Sequence, residues 1–86
     1  MNIITANEAR KIEIQNPSID KIVLGEWIER LDNIIRIHAR LYKYCYLHWE
    51  GLVEIYRIEI ERILKINGYH TYRNRAIKNQ CLVIEW

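Results

Sequence analysis

The sequence predicts a single α+β domain made of helices on one face of a three-stranded sheet. Two observations carry this prediction. Apolar residues recur at intervals of three and four in two segments, as on one face of a helix, and they alternate with polar or aromatic residues in a third, as in a strand. With 86 residues the chain is long enough for one core. The predicted element order is helix, helix, strand, helix, strand, strand.

The first predicted helix covers residues 6 to 15. Thr5 and Glu8 have the spacing of a capping box, in which the hydroxyl and the carboxylate satisfy the free amides of the first turn. Pro17 disfavours helix at the residue before it, and Ser18 is a suitable N-cap for a second helix. We therefore expect a break at residues 16 to 20.

The second predicted helix is long and runs from residue 19 to about residue 40. Its apolar residues recur at threes and fours and fall on one face, with charged residues on the opposite face. These apolar residues are Val23, Leu24, Trp27, Ile28, Leu31, Ile34 and Ile35. His38 lies on the same stripe, where a hydrogen-bonded core histidine is the expected role.

The period changes to two in "LYKYCYLHW", residues 41 to 49, which predicts the first strand. One side carries Leu41, Cys45, Leu47 and Trp49, and the other carries Tyr42, Tyr44, Tyr46 and His48. A helical period returns over residues 52 to 67. Gly68 after Asn67 predicts its end, because glycine readily takes the left-handed conformation found there.

Two strands are predicted after this helix, over residues 69 to 75 and 81 to 85, with a turn around "IKNQ" between them. A strand, helix, strand unit crosses over to make its two strands parallel. We expect the last strand, "CLVIE", to lie between them and antiparallel to both, because it is uniformly apolar. The prediction is a three-stranded mixed sheet in the order first, third, second, with one face left open by the helices.

Composition limits the functional classes. The net charge of +2 is too small for a protein that coats nucleic acid, and no apolar run has the length of a membrane span. We expect a cytoplasmic protein, in which Cys45 and Cys81 are small apolar strand residues and not a disulfide or a metal site. Because so small a domain is marginally stable, a homo-oligomer is also expected.

The layout that begins with "TANEAR", continues through a long helix, a strand and a helix ending in "NGY", and closes on "IEW" resembles small accessory proteins of tailed bacteriophages. The resemblance covers most of the chain and implies a viral origin. Some phage proteins of this size block host enzymes, defence nucleases or nucleotide alarm signals. It assigns no role to any individual residue.

No constellation for catalysis is present in the sequence. The one serine, Ser18, is expected to be a helix cap, the glycines are isolated, and the histidines lack metal-ligand spacing. We therefore expect a non-catalytic protein without metal or cofactor.

The functional class that remains is binding through the protein surface. Tyrosine rings offer stacking area with a polar tip, and arginine matches phosphate oxygens bidentately. The predicted ligand-binding residues are Tyr44, Tyr46, His70, Tyr72, Arg73, Arg75 and Lys78.

Alternation in the second strand places His70 and Tyr72 on one side and Thr71 and Arg73 on the other, and the sequence does not say which side is open. The sequence predicts a host-directed inhibitor or sequestering protein, with an anionic nucleotide or nucleic acid as ligand. The alternatives are an inhibitor that binds a host protein without a small ligand, and a minor structural component of the virion. An open face with several tyrosines also fits a self-interface.

Overall fold

The computed structural model describes residues 18–74 and 81–86. The described elements are helix α1 (Lys21–His38), strand β1 (Tyr44–His48), helix α2 (Glu54–Ile66), strand β2 (His70–Arg73) and strand β3 (Cys81–Glu85). Their order agrees with the prediction for this part of the chain. The helix predicted over residues 6 to 15 and the turn around "IKNQ" lie outside the described residues.

Helix α1 starts two residues later than predicted because Asp20, not Ser18, is its N-cap. The Oδ1 atom of Asp20 accepts hydrogen bonds from the backbone N–H groups of Ile22 at 2.8 Å and Val23 at 3.4 Å. A carboxylate satisfies these free amides as well as a hydroxyl does. The predicted stripe is confirmed for Leu24, Ile28, Leu31 and Ile35, which are buried, and Trp27 and Ile34 pack partly buried against the core. Val23 was expected on the stripe but is exposed.

Strand β1 is shorter than predicted, and its alternation is confirmed. Cys45 and Leu47 are buried, whereas Tyr44, Tyr46 and His48 are exposed. Leu41 was expected on the buried side but is 80% exposed. It lies in the turn after α1, where its N–H donates to the carbonyl of His38 at 3.0 Å, so the alternation of the strand does not reach it.

Helix α2 ends as the sequence predicts. Gly68 has a φ of +91°, in the left-handed region. The N–H of Gly68 donates to the carbonyl of Lys65 at 3.1 Å, and the N–H of Tyr69 donates to that of Leu64 at 3.0 Å. This pair of bonds is a Schellman motif, and it directs the chain from α2 into β2.

The sheet has the predicted order β1-β3-β2. Strand β3 pairs antiparallel with both neighbours, as predicted. Every paired strand is therefore antiparallel, and the description of the sheet as mixed is wrong. The parallel strands β1 and β2 are separated by β3 and never pair. Both described helices cover the same face, where the sheet residues Cys45, Leu47, Leu82 and Ile84 join the core.

Candidate functional site

The sheet has a second side, directed away from α1 and α2, which we call the open face. Residues directly opposite each other in an antiparallel ladder share a face, so the register defines its rows. One row is Tyr44, Glu85 and His70, the next is Tyr46, Val83 and Tyr72, and the third contains His48 and Cys81. In these rows Glu85 is the one formally charged side chain.

Three tyrosines form a continuous ladder along β1 and the turn before it. The ring centroids of Tyr42 and Tyr44 are 5.7 Å apart, as are those of Tyr44 and Tyr46, with the second pair edge to face. Such separations lie within the favourable range for aromatic pairs. The three residues nevertheless remain 50%, 42% and 45% exposed, so about half of each is available for contact.

Tyr72 extends this aromatic surface across the sheet. Its hydroxyl donates to the Glu85 carboxylate, Oη to Oε1, at 3.0 Å. That hydrogen bond raises the pKa of Tyr72, because it favours the protonated phenol. Val83, which lies between Tyr46 and Tyr72 in the register, is only 3% exposed. Val83 is thus buried although it lies on the open face, whereas its neighbours in the register, Tyr46 and Tyr72, are exposed.

The structure divides the predicted ligand-binding residues into three groups. Tyr44, Tyr46, His70 and Tyr72 come together on the open face, as their alternation in β1 and β2 allows. Arg73 has the opposite parity in β2 and lies on the helix side. Arg75 and Lys78 lie outside the described residues.

Arg73 contacts two carboxylates of α2. Its Nε and Nη2 atoms donate to Oε1 of Glu61 at 2.9 and 2.6 Å, and Nη2 also donates to Oε1 of Glu54 at 2.5 Å. The guanidinium carbon lies 5.3 Å from the centroid of the fully buried Trp49 ring, a cation–π distance. The predicted anion-binding arginine is thus neutralised within the domain.

The pKa shifts of this network agree with its geometry. The hydrogen bond from Arg73 lowers the pKa of Glu54, because it favours the ionised carboxylate. The same bond raises the pKa of Arg73, with Glu61 contributing in the same direction. Sequence reasoning missed this network, although Glu54 and Glu61 are seven residues apart and therefore project from similar sides of a helix.

The side chains of Cys45, Cys81 and His38 have structural roles. Burial raises the pKa of the Cys45 thiol to about 12, and Cys81 adds to the shift, so almost no nucleophilic thiolate is present at neutral pH. Nδ1 of His38 hydrogen-bonds the carbonyl of Ile34 at 2.9 Å, as expected, but the side chain is only half-buried and lies outside the core. Within residues 18–74 and 81–86, no group of three or more side chains is arranged to hold a metal ion.

Comparison with protein-family models, curated proteins and solved structures finds no match for this chain. The resemblance to phage accessory proteins therefore stays a prediction. Among the described helices, none combines the length and the apolar character that crossing a membrane requires.

Proposed function

We propose that this chain is a non-catalytic binding protein whose open face contacts another protein. The observation that carries the proposal is the exposed tyrosine ladder, Tyr42, Tyr44 and Tyr46, extended across the sheet by Tyr72. Tyrosine is enriched at protein interfaces because its ring buries a large area at little entropic cost while its hydroxyl finds a polar partner.

Charge favours a protein over an anionic ligand. Glu85 is the one formally charged side chain in the described rows of the open face, and it is an acid. Arg73, the one described arginine among the predicted site residues, is held by Glu54 and Glu61 on the other side of the sheet. A phosphate next to the tyrosines would find no arginine in these rows. The nucleotide ligand thus has weaker support than a protein partner.

The resemblance to phage accessory proteins suggests the class of partner. We propose a host protein that is masked when its surface packs on the open face. In such an interface the tyrosines would be the buried anchors, and polar groups such as His48 and His70 would lie nearer the rim.

Site-specific photo-crosslinking tests this proposal. A photoreactive amino acid replaces Tyr46 on the open face or, as the matched control, Ile58 on the exposed side of α2 (56% exposed). In host lysate, we expect a discrete crosslinked protein from position 46 and not from position 58. An excess of unlabelled wild-type protein should compete for it, and an excess of a Tyr44→Ser, Tyr72→Ser variant should not. Equal capture from both positions would contradict the proposal.

A nucleotide titration separates the two ligand classes. Amide NMR shifts are recorded while cyclic and linear nucleotides are added at low and high salt. Because phosphate contacts weaken as salt rises, salt-sensitive shifts confined to the open face would favour the anionic ligand. We expect no saturable shifts there.

A further inference from the structure

The outer edge of β1 carries a row of backbone groups with no partner strand among the described residues. The N–H of Trp86 donates to the carbonyl of Lys43 at 2.9 Å, which makes this pair a hydrogen-bonded position of the β1–β3 ladder. Hydrogen-bonded and non-hydrogen-bonded pairs alternate along an antiparallel ladder. The backbone groups of Cys45 and Leu47 therefore face β3, whereas those of Tyr44, Tyr46 and His48 face outward.

This edge lacks the features with which proteins usually block edge pairing. Natural edge strands carry lysine, proline, a bulge or an inward-pointing charge. From Tyr44 to His48, strand β1 has the sequence YCYLH and pairs with β3 in continuous register, without lysine, proline or a bulge. The one lysine of the ladder, Lys43, lies at its end, before this segment. The outer edge of β2 differs, because Arg73 occupies one of its outward positions and is tied to Glu54 and Glu61.

The outward backbone groups of β1 in one copy are complementary to the same groups in a second copy. A two-fold axis through Tyr46 places Tyr46 opposite Tyr46 of a second copy, and Tyr44 opposite His48 in both directions. Each of these pairs can exchange both of its N–H···O bonds. No like charges meet, and aromatic side chains face each other across the junction, which favours cross-strand pairing. A charged peptide of unrelated sequence would lack this side-chain complementarity to the β1 edge.

We propose that two copies of this chain pair through their β1 strands, antiparallel and centred on Tyr46, to form one continuous sheet of twice the width. The pairing closes the exposed edge by a symmetric contact. It also joins the two open faces into a single aromatic surface on one side of the dimer. The dimer rests on backbone groups of β1 and does not depend on which ligand the open face binds.

Sedimentation velocity over a wide dilution series tests the proposal. Wild-type protein is expected to reach twice the monomer mass. Tyr46→Pro removes the central outward N–H, which has no backbone partner among residues 18–74 and 81–86, and proline is tolerated at such edge positions. Tyr46→Lys places two ammonium groups opposite each other. Both variants are expected to be monomeric at concentrations where the wild type is a dimer.

Two control variants distinguish the contribution of the β1 edge from that of the Tyr46 ring and from a general effect of added charge. Tyr46→Thr keeps the N–H and removes the ring, so the dimer should persist although binding through the open face weakens. Ile58→Lys adds the same charge on the exposed side of α2 and should leave the dimer intact. A wild-type protein that is monomeric throughout, or an oligomer that survives both edge variants, would overturn the proposal.

Hydrogen exchange gives a readout that does not depend on the variants folding. In the monomer the amides of Cys45 and Leu47 are protected by β3, and those of Tyr44, Tyr46 and His48 have no partner strand in the described part of the chain. The proposed dimer protects all five, and dilution should restore fast exchange in the outward set alone. If that set exchanges fast in a sample with the mass of a dimer, the interface lies elsewhere and the proposal is wrong.

Discussion

Arg73 donates two hydrogen bonds to a single carboxylate oxygen of Glu61, at 2.9 and 2.6 Å, and so fixes β2 to α2. Glu54 binds the same guanidinium from one end of the helix. The Arg73 and Glu61 side chains are 26% and 17% exposed, so this pair is more enclosed than an ordinary surface ion pair. The network explains why an arginine predicted to bind an external anion has a structural role.

Replacing Arg73 should therefore destabilise the domain. For Arg73→Ala we expect a loss of about 1–3 kcal/mol in the free energy of unfolding, because charge-assisted hydrogen bonds are lost and two acids remain close together. Arg73→Lys should recover only part of it, since an ammonium cannot reproduce the fork. Urea unfolding measures both. Arg36→Ala, which breaks the pair of a more exposed arginine (49%) with Asp32, is the control and should cost less. An unchanged stability in Arg73→Ala would contradict the structural role of the guanidinium.

Acid should weaken the same network in a defined pH range. The folded-state pKa of Glu54 lies below its ordinary value of 4.5 because Arg73 donates to it. Its contribution to stability is present above pH 4.5 and is lost as the pH falls through the lower, folded-state pKa. In Glu54→Gln we expect a smaller difference in unfolding free energy between neutral and acidic pH than in the wild type. Equal acid sensitivity of the two proteins would contradict this interpretation.

Tyr72 should titrate later than an unperturbed phenol. Its pKa is raised above the ordinary value of 10 by the hydrogen bond to Glu85, so the stabilisation is present below pH 10 and is lost as the pH rises through the folded-state pKa. Ultraviolet titration of the wild type, Tyr72→Phe and Glu85→Gln measures the effect. We expect Glu85→Gln to shift one late tyrosine transition to lower pH and Tyr72→Phe to remove it. A late transition that persists in Tyr72→Phe belongs to another tyrosine.

The N-cap of α1 gives a test of local structure. Asp20→Ala should lower the unfolding free energy by about 1 kcal/mol, because two amides of the first turn lose their acceptor. Asp20→Asn keeps a side-chain oxygen at the same place and should cost much less. Thermal or urea unfolding distinguishes the two. Equal losses would show that the charge of Asp20, and not its hydrogen bonds, stabilises the helix.

Much of the local structure followed from the sequence. The buried stripe of α1, the alternation in β1 and the glycine end of α2 were all predicted, because each depends on side-chain periodicity or on a backbone preference over a few residues. The uniformly apolar residues of β3 also predicted its place between β1 and β2. One face of the sheet carries four of the predicted residues: Tyr44, Tyr46, His70 and Tyr72. This grouping follows from the alternation once it is known which side of β2 faces the helices.

The tertiary structure decided that choice and the role of Arg73. In β2 the alternation defines two sides, and only the packing of α2 shows that Arg73 lies on the helix side while Tyr72 lies on the open face. The partners of Arg73 are 12 and 19 residues away along the chain. The position of β1 at the edge of the described sheet is likewise set by its pairing with a strand more than thirty residues later. The physical reason is that local patterns orient a side chain relative to its own element, whereas its partners are brought to it by other elements.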